Sequence, residues 1–203
     1  MSKSRDLAAL LDSSGDVVTD ALDNAGGGGG GAWTEISSTT VSSAVSEVEF
    51  TLSGYSVYKV IFWDLNWGSD ENGITVQFTV GSTGTYSETI VFMNHRNGGM
   101  NGSSNHSGYG TSSTKWTTWG GFKPSSTNGT GSGELTIYNA VGMPNLRMES
   151  AHLDDSGSVG IGTSSGWARL ESPSSTDTIG KVKFSGDQSD NFASGTFTLY
   201  GLN

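Results

Sequence analysis

Six consecutive glycines, Gly26 to Gly31, divide this chain into two unequal parts. Each residue of such a run has a large backbone entropy to lose and no side chain to pack, so the run holds no fixed conformation of its own. The sequence therefore reads as a leader, a tether and a body. Residues 1–25 form an N-terminal anchor segment, 26–32 a glycine linker and 33–203 a β-sandwich domain. A displayed module is built this way, and few enzymes are.

The leader carries one short helical pattern. Ser4 can cap a helix that begins at Arg5, with Asp6 well placed in its first turn. Leu7, Leu10 and Leu11 fall on one face, and Asp12-Ser13-Ser14-Gly15 ends the pattern with turn chemistry. Two turns of helix are unstable alone in water. The leucine face must therefore pack on the body, on copies of itself or on a partner. Val17 and Val18 add a brief extended piece. These five apolar residues are the candidate anchoring residues.

From Trp33 onward, period two dominates. Val48, Phe50 and Leu52 face one way, and Glu47, Glu49 and Thr51 the other. Ile74, Val76, Phe78 and Val80 alternate with Thr75, Gln77 and Thr79; Leu135 and Ile137 with Thr136 and Tyr138; Phe197 and Leu199 with Thr198 and Tyr200. Each pattern predicts a strand with one face on a core and one on water. Tyr58 to Leu65, YKVIFWDL, is apolar on both faces, which puts it mid-sheet or at a subunit contact. Asn94 to Thr114 is polar, glycine-rich and unpatterned, and reads as a long loop. No helix-period stretch of ordinary length follows Gly31. The expected fold is all-β, a jelly-roll-like sandwich of about eight to ten strands.

Composition narrows the function classes. The net charge is −10, and the ten Lys and Arg residues are scattered. Such a surface favours solubility and argues against nucleic acid and anionic lipid as partners. The chain has no cysteine, so disulfides and thiolate metal sites are excluded. Leu7 to Leu11 is too short for a secretion signal, and no apolar stretch reaches membrane-spanning length. Synthesis and retention in the cytosol until assembly is the expectation, with no membrane insertion.

Several segments, in this order, resemble small structural proteins of tailed bacteriophages. MSKSRDLAALLDSSGDVV is similar to the start of many phage fibre and virion proteins, and GGGGGGAWTEISSTTVSSAVSEVEFT to their glycine run, Trp and first Ser/Thr-rich strands. YSVYKVIFWDLN and ENGITVQFTVGSTGTYSE resemble the strand and hairpin that follow, and FASGTFTLYGLN the closing strand. The resemblance covers both ends and much of the first half, and is thinner over 94–133 and 151–190. It implies a fibre- or decoration-type virion part on head or tail, a homotrimer among other virion structural proteins, and it brings no catalytic residues.

The residues themselves offer little chemistry. His95, His106 and His152 lack metal-ligand spacing. A glycosidase needs two carboxylates facing one cleft, and Asp64, Asp70, Glu71, Glu88, Glu134, Asp154 and Asp155 qualify by number alone. Asp64 interrupts an apolar strand and is expected at its end, bonding a turn amide. Asp70-Glu71-Asn72 is a weak calcium motif, and no metal or cofactor is expected. Trp116 and Trp119 put two rings three residues apart, and Tyr109 adds a third ring. Exposed aromatic rings beside polar groups stack on sugars, so these three are the candidate glycan contacts; the alternative is one Trp in the core and one at a subunit interface. A trimer has its own argument. With YKVIFWDL in an outer position, Phe62 or Trp63 would be exposed, and covering apolar area is worth about 25 cal/mol per Å².

The sequence thus reads as a non-enzymatic structural protein at a phage virion surface, anchored by its leader, with the sandwich projecting outward and contacting host-surface glycan. The rivals are a free carbohydrate-binding module and a polysaccharide-degrading enzyme.

Overall fold

The chain forms twelve strands among the described residues of the computed structural model, which are 32–67, 73–81, 84–97, 105–117, 131–154, 160–186 and 191–202. They are β1 (Thr34–Val41), β2 (Glu47–Thr51), β3 (Val57–Trp67), β4 (Ile74–Val80), β5 (Ile90–Asn97) and β6 (Asn105–Ser113). β7 (Trp116–Thr117), β8 (Gly131–Tyr138), β9 (Asn145–Asp154), β10 (Gly160–Leu170), β11 (Ile179–Gly186) and β12 (Phe192–Leu202) complete the set. The protein is all-β, with two antiparallel sheets. The larger has eight strands in the order β1-β12-β3-β8-β9-β10-β5-β6, and the smaller has four in the order β2-β11-β4-β7. The arrangement is compatible with a β-sandwich. The leader, its expected helix and the glycine run lie outside the described residues.

The pairing has a simple logic. β1 pairs with β12, β2 with β11, β3 with β8 and β4 with β7. Early strands thus bond to late ones in nested order, as the two arms of one long hairpin would. Two local hairpins, β5–β6 and β9–β10, extend the larger sheet beyond β8.

Core residues come from both sheets. In β2, Val48 and Phe50 are buried and their neighbours exposed, as period two predicts. β3 lies between β12 and β8, so YKVIFWDL is indeed mid-sheet. Phe62 is fully buried and Trp63 is 38% exposed, so of the two rings only Trp63 reaches the surface. Phe62 of β3, Phe197 of β12 and Phe184 of β11 form a triangle with ring centroids 5.4–6.2 Å apart. Phe184 belongs to the smaller sheet, so the triangle ties one sheet to the other. Phe192 and Trp67 continue it along β12 and β3.

A second tie is polar. Asn94 of β5 is buried; its Oδ1 accepts from the Trp116 indole N–H at 2.5 Å, and its Nδ2 donates to the Thr117 carbonyl at 2.7 Å. Trp116 and Thr117 belong to the smaller sheet, Asn94 to the larger. Gly166 leaves the room this bond needs, since a Cβ there would sit 2.6 Å from Asn94 Oδ1 and 2.9 Å from the indole.

Four expectations change. The segment 94–114 is no simple loop: most of it forms the β5–β6 hairpin at the edge of the larger sheet. An edge strand with little core to cover needs no apolar alternation, so β6 gives no period-two signal. Thr75, Thr79, Thr136 and Thr198 are buried rather than on water. Their hydroxyls can be satisfied locally: Thr75 bonds Thr117, Thr79 donates to the Gly81 carbonyl, and Thr198 bonds Ser38. Asp64 is inside β3, at a bulge where pairing with β8 skips from Phe62 to Leu65, and its φ is 53°. A bulge adds one residue, re-aims the strand and tolerates the left-handed conformation that Asp adopts more readily than branched residues. β12, the neighbour of β3 on its other side, shifts register there too, at Gly195 with φ 135°, where a Cβ would meet Leu65 at 2.4 Å. Finally, the described strands number twelve, because the sequence pattern left out most of the two extending hairpins.

On the outer face of the smaller sheet, the Tyr86 hydroxyl donates to Glu49 Oε2 at 2.5 Å, and Lys181 Nζ lies 3.1 Å from Glu49 Oε1. Lys183 Nζ sits 4.2 Å from the Tyr86 ring centroid. The Tyr86 hydrogen bond, with Lys181 behind it, holds the Glu49 carboxyl below its ordinary range. Burial, and then the same bond, push the Tyr86 phenol upward.

Two outcomes follow. Asn94→Ala leaves a buried indole N–H and a carbonyl unpaired, and should cost roughly 2–4 kcal/mol in chemical denaturation. Tyr86→Phe should lower the melting temperature near neutral pH. Glu49's depressed value stabilises the fold above about pH 4.5, and that contribution fades as pH falls through the folded value, so the gap between Y86F and wild type should narrow in acid. Tyr86's raised value adds stability that is complete below pH 10 and is lost at higher pH, so wild type alone should show that alkaline decline from this site.

Candidate functional site

The same alternation that fills the core sets out the opposite face of the larger sheet. In β9, Leu146 and Met148 are buried, which turns Arg147 and Glu149 outward. In β10, Ala168 and Leu170 are buried and Trp167 and Ser165 are exposed. Glu134 on β8 and Met93 and His95 on β5 share that outer face.

A groove of about 440 Å³ lies over this face. Ile61, Glu134, Glu149, Thr163 and Ser165 are among its lining residues, and His95 closes one side. A second hollow of about 250 Å³ shares His95, Glu149 and Ser165 with the first and adds Met93, Arg147 and Trp167. The two adjoin at the three shared residues, and the first crosses the sheet from β3 to β5 along the register row Ile61, Glu134, Glu149, Ser165 and His95. Four strand spacings separate those strands, or about 19 Å.

Register aligns the exposed apolar side chains. Tyr109 stands opposite Met93, Met93 opposite Trp167, and Trp167 opposite Arg147. Tyr109 is 82% exposed, Met93 48% and Trp167 46%. Directly opposite residues on neighbouring strands share a face, so these three form one row, about 10 Å across. Trp63 lies on the same face of β3, two residues from Ile61.

The charges balance in pairs. Glu134 and Glu149 are register partners, an arrangement that repels on its own. Lys59 Nζ lies 3.1 Å from Glu134, and Arg147 pairs with Glu149. Each of these carboxylates therefore has a cation beside it.

The sequence-expected sugar contacts separate. Trp116 is fully buried with its N–H on Asn94, so its ring belongs to the core and offers no face to a ligand. This is the core alternative for that residue, and it corrects Trp116 as a glycan contact. Tyr109 stands in the open row. Trp119 lies outside the described residues, as do Leu7, Leu10, Leu11, Val17 and Val18, and Asp70, Glu71 and Asp155. Of the carboxylates considered, Glu134 reaches the groove. His95 is exposed beside it. Among the described residues, no group of three or more His, Asp or Glu could hold a metal ion.

Sequence reasoning missed Trp167, Met93, Arg147 and Glu149. The signal existed: Leu146, Met148 and Ser150 alternate with Arg147, Glu149 and Ala151. It is a short run, and no pattern in one strand says which other strand will lie beside it.

Comparisons with protein families, with curated proteins and with solved structures return no match for this chain.

Proposed function

We propose that the protein is a structural component displayed on a tailed bacteriophage particle. The leader anchors it to other virion proteins, the glycine run uncouples the body from the anchor, and a jelly-roll sandwich projects outward as a homotrimer. Its work is noncovalent: it covers the particle surface and contacts host glycan by many weak contacts held together.

One observation carries this reading. The residues from Thr34 on form a compact unit of their own, and every described core residue lies at Val41 or beyond. A body that fills its own core can be carried by a tether. The nested pairing supports the jelly-roll assignment. With the hairpins β5–β6 and β9–β10 set aside, β1-β12-β3-β8 and β2-β11-β4-β7 are two four-stranded sheets of a doubled-over hairpin, the order of an eight-strand jelly roll. The phage assignment is supported by the ordered sequence resemblance. The exposed row on the outer face supports the glycan contact, and favours a free carbohydrate-binding module as the second reading.

Deleting residues 1–25 separates these readings. The display reading predicts that the truncated chain folds with an unchanged melting temperature and is no longer incorporated into particles. Incorporation at the full level would contradict it. Light scattering on the intact chain should give three times the chain mass, and a single chain's mass would contradict the trimer. New reducing ends after incubation with host capsule would instead identify an enzyme.

A further inference from the structure

We infer that the groove on the outer face of the eight-stranded sheet, with the adjoining hollow at Trp167, is a binding site for a neutral oligosaccharide stacked on that ring. The assignment deepens the glycan part of the display reading and rests on it for the biological source of the sugar. The site itself is argued from geometry.

Three features select the ligand. The first is shape. The groove crosses five strands, from Ile61 of β3 to His95 of β5, a reach that suits an extended chain of pyranose rings rather than a compact metabolite. The second is the row of Tyr109, Met93 and Trp167 along one register. The apolar face of a sugar ring covers an indole, gaining contact area without desolvating a charge. The third is charge. Glu134 holds Lys59 and Glu149 holds Arg147, so the two carboxylates facing the groove are already matched. An anionic saccharide would meet two carboxylates and have to compete for their cations. A neutral one can exchange hydrogen bonds with the Ser165 and Thr163 hydroxyls and donate to the carboxylates while leaving both pairs in place.

The alternative occupant is a second copy of this chain, covering the same row as a subunit contact. The groove favours sugar, because Ser132, Thr163, Ser165 and two ion-paired carboxylates stand among its lining residues beside the exposed face of Trp167, a mixture that suits a sugar ring better than a purely apolar subunit contact.

The test uses the full chain, titrated with neutral hexasaccharides of gluco, manno and galacto configuration and with a polysialic acid fragment as the anionic probe. Binding is followed by tryptophan fluorescence and calorimetry. At least one neutral hexasaccharide should bind and shift the emission. Trp167→Ala should weaken that binding by about tenfold. Trp167 is half exposed, so the variant should keep the wild-type melting temperature and mass. Arg147→Gln, which frees Glu149, should leave the neutral sugar bound within about threefold.

No binding by any neutral hexasaccharide would overturn the inference, as would binding unaffected by Trp167→Ala or a preference for polysialic acid. A W167A chain that falls from trimer to monomer without having bound sugar would also overturn it and make the row a subunit contact. None of these results alters whether the leader carries the protein into particles, so the display reading stands or falls separately.

Discussion

The packing of Phe62, Phe184 and Phe197 is the contact on which the architecture depends. The three rings come from β3, β11 and β12, and β12 lies more than a hundred residues along the chain from β3. Nested pairing makes such distance unavoidable, because the first strand of the body can be completed only by the last. The cost of closing so long a loop rises slowly with length, so it is tolerable in stability. It weighs more on speed, since non-local pairing must form before it is rewarded. A cluster of large rings at the meeting of the two arms supplies that reward in one place.

The two sheets are unequal, with eight strands against four. Four strands cannot cover eight. The larger sheet runs on through two hairpins, and at that end the sheets are joined by the Asn94–Trp116 bond rather than by phenylalanines. A buried polar tie fixes geometry more narrowly than apolar packing, because both partners lose a hydrogen bond if it shifts. Asn94 stands opposite Gly166 of β10, and the next pair in that ladder sets Met93 beside Trp167 on the opposite face. The core side of the sheet thereby positions the groove side.

How much of this was legible in the sequence varies by strand. β2, β4 and β12 announced themselves, since Val48 and Phe50, Ile74 and Val76, and Phe197 and Leu199 alternate with polar residues. YKVIFWDL announced a central strand because both faces are apolar. The β5–β6 hairpin was hidden, as Gly108, Tyr109 and Gly110 read as loop chemistry. Edge strands face little core, so selection for alternation is weak there. The buried threonines were misread for a related reason: a methyl and a hydroxyl suit either side, and only neighbours such as Ser38 and Thr117 decide. Trp116 looked like an available ring because its partner Asn94 is 22 residues away and no local pattern joins them. The groove was the least legible feature. It is made by strands β3, β8, β9, β10 and β5, and only the topology brings these together.

These elements combine into one account: a β body closed by an aromatic centre that draws on both sheets carries a mixed aromatic and polar outer face. Its central claim is that β3, β11 and β12 form a single cooperative unit. Hydrogen exchange on the intact chain tests it most directly. The amides around Phe62, Phe184 and Phe197 should be the slowest in the molecule and share one opening free energy, while β6 and the tips of the extending hairpins exchange sooner. Early, independent exchange of β11 would mean that the smaller sheet is not locked to the larger, and would contradict the account.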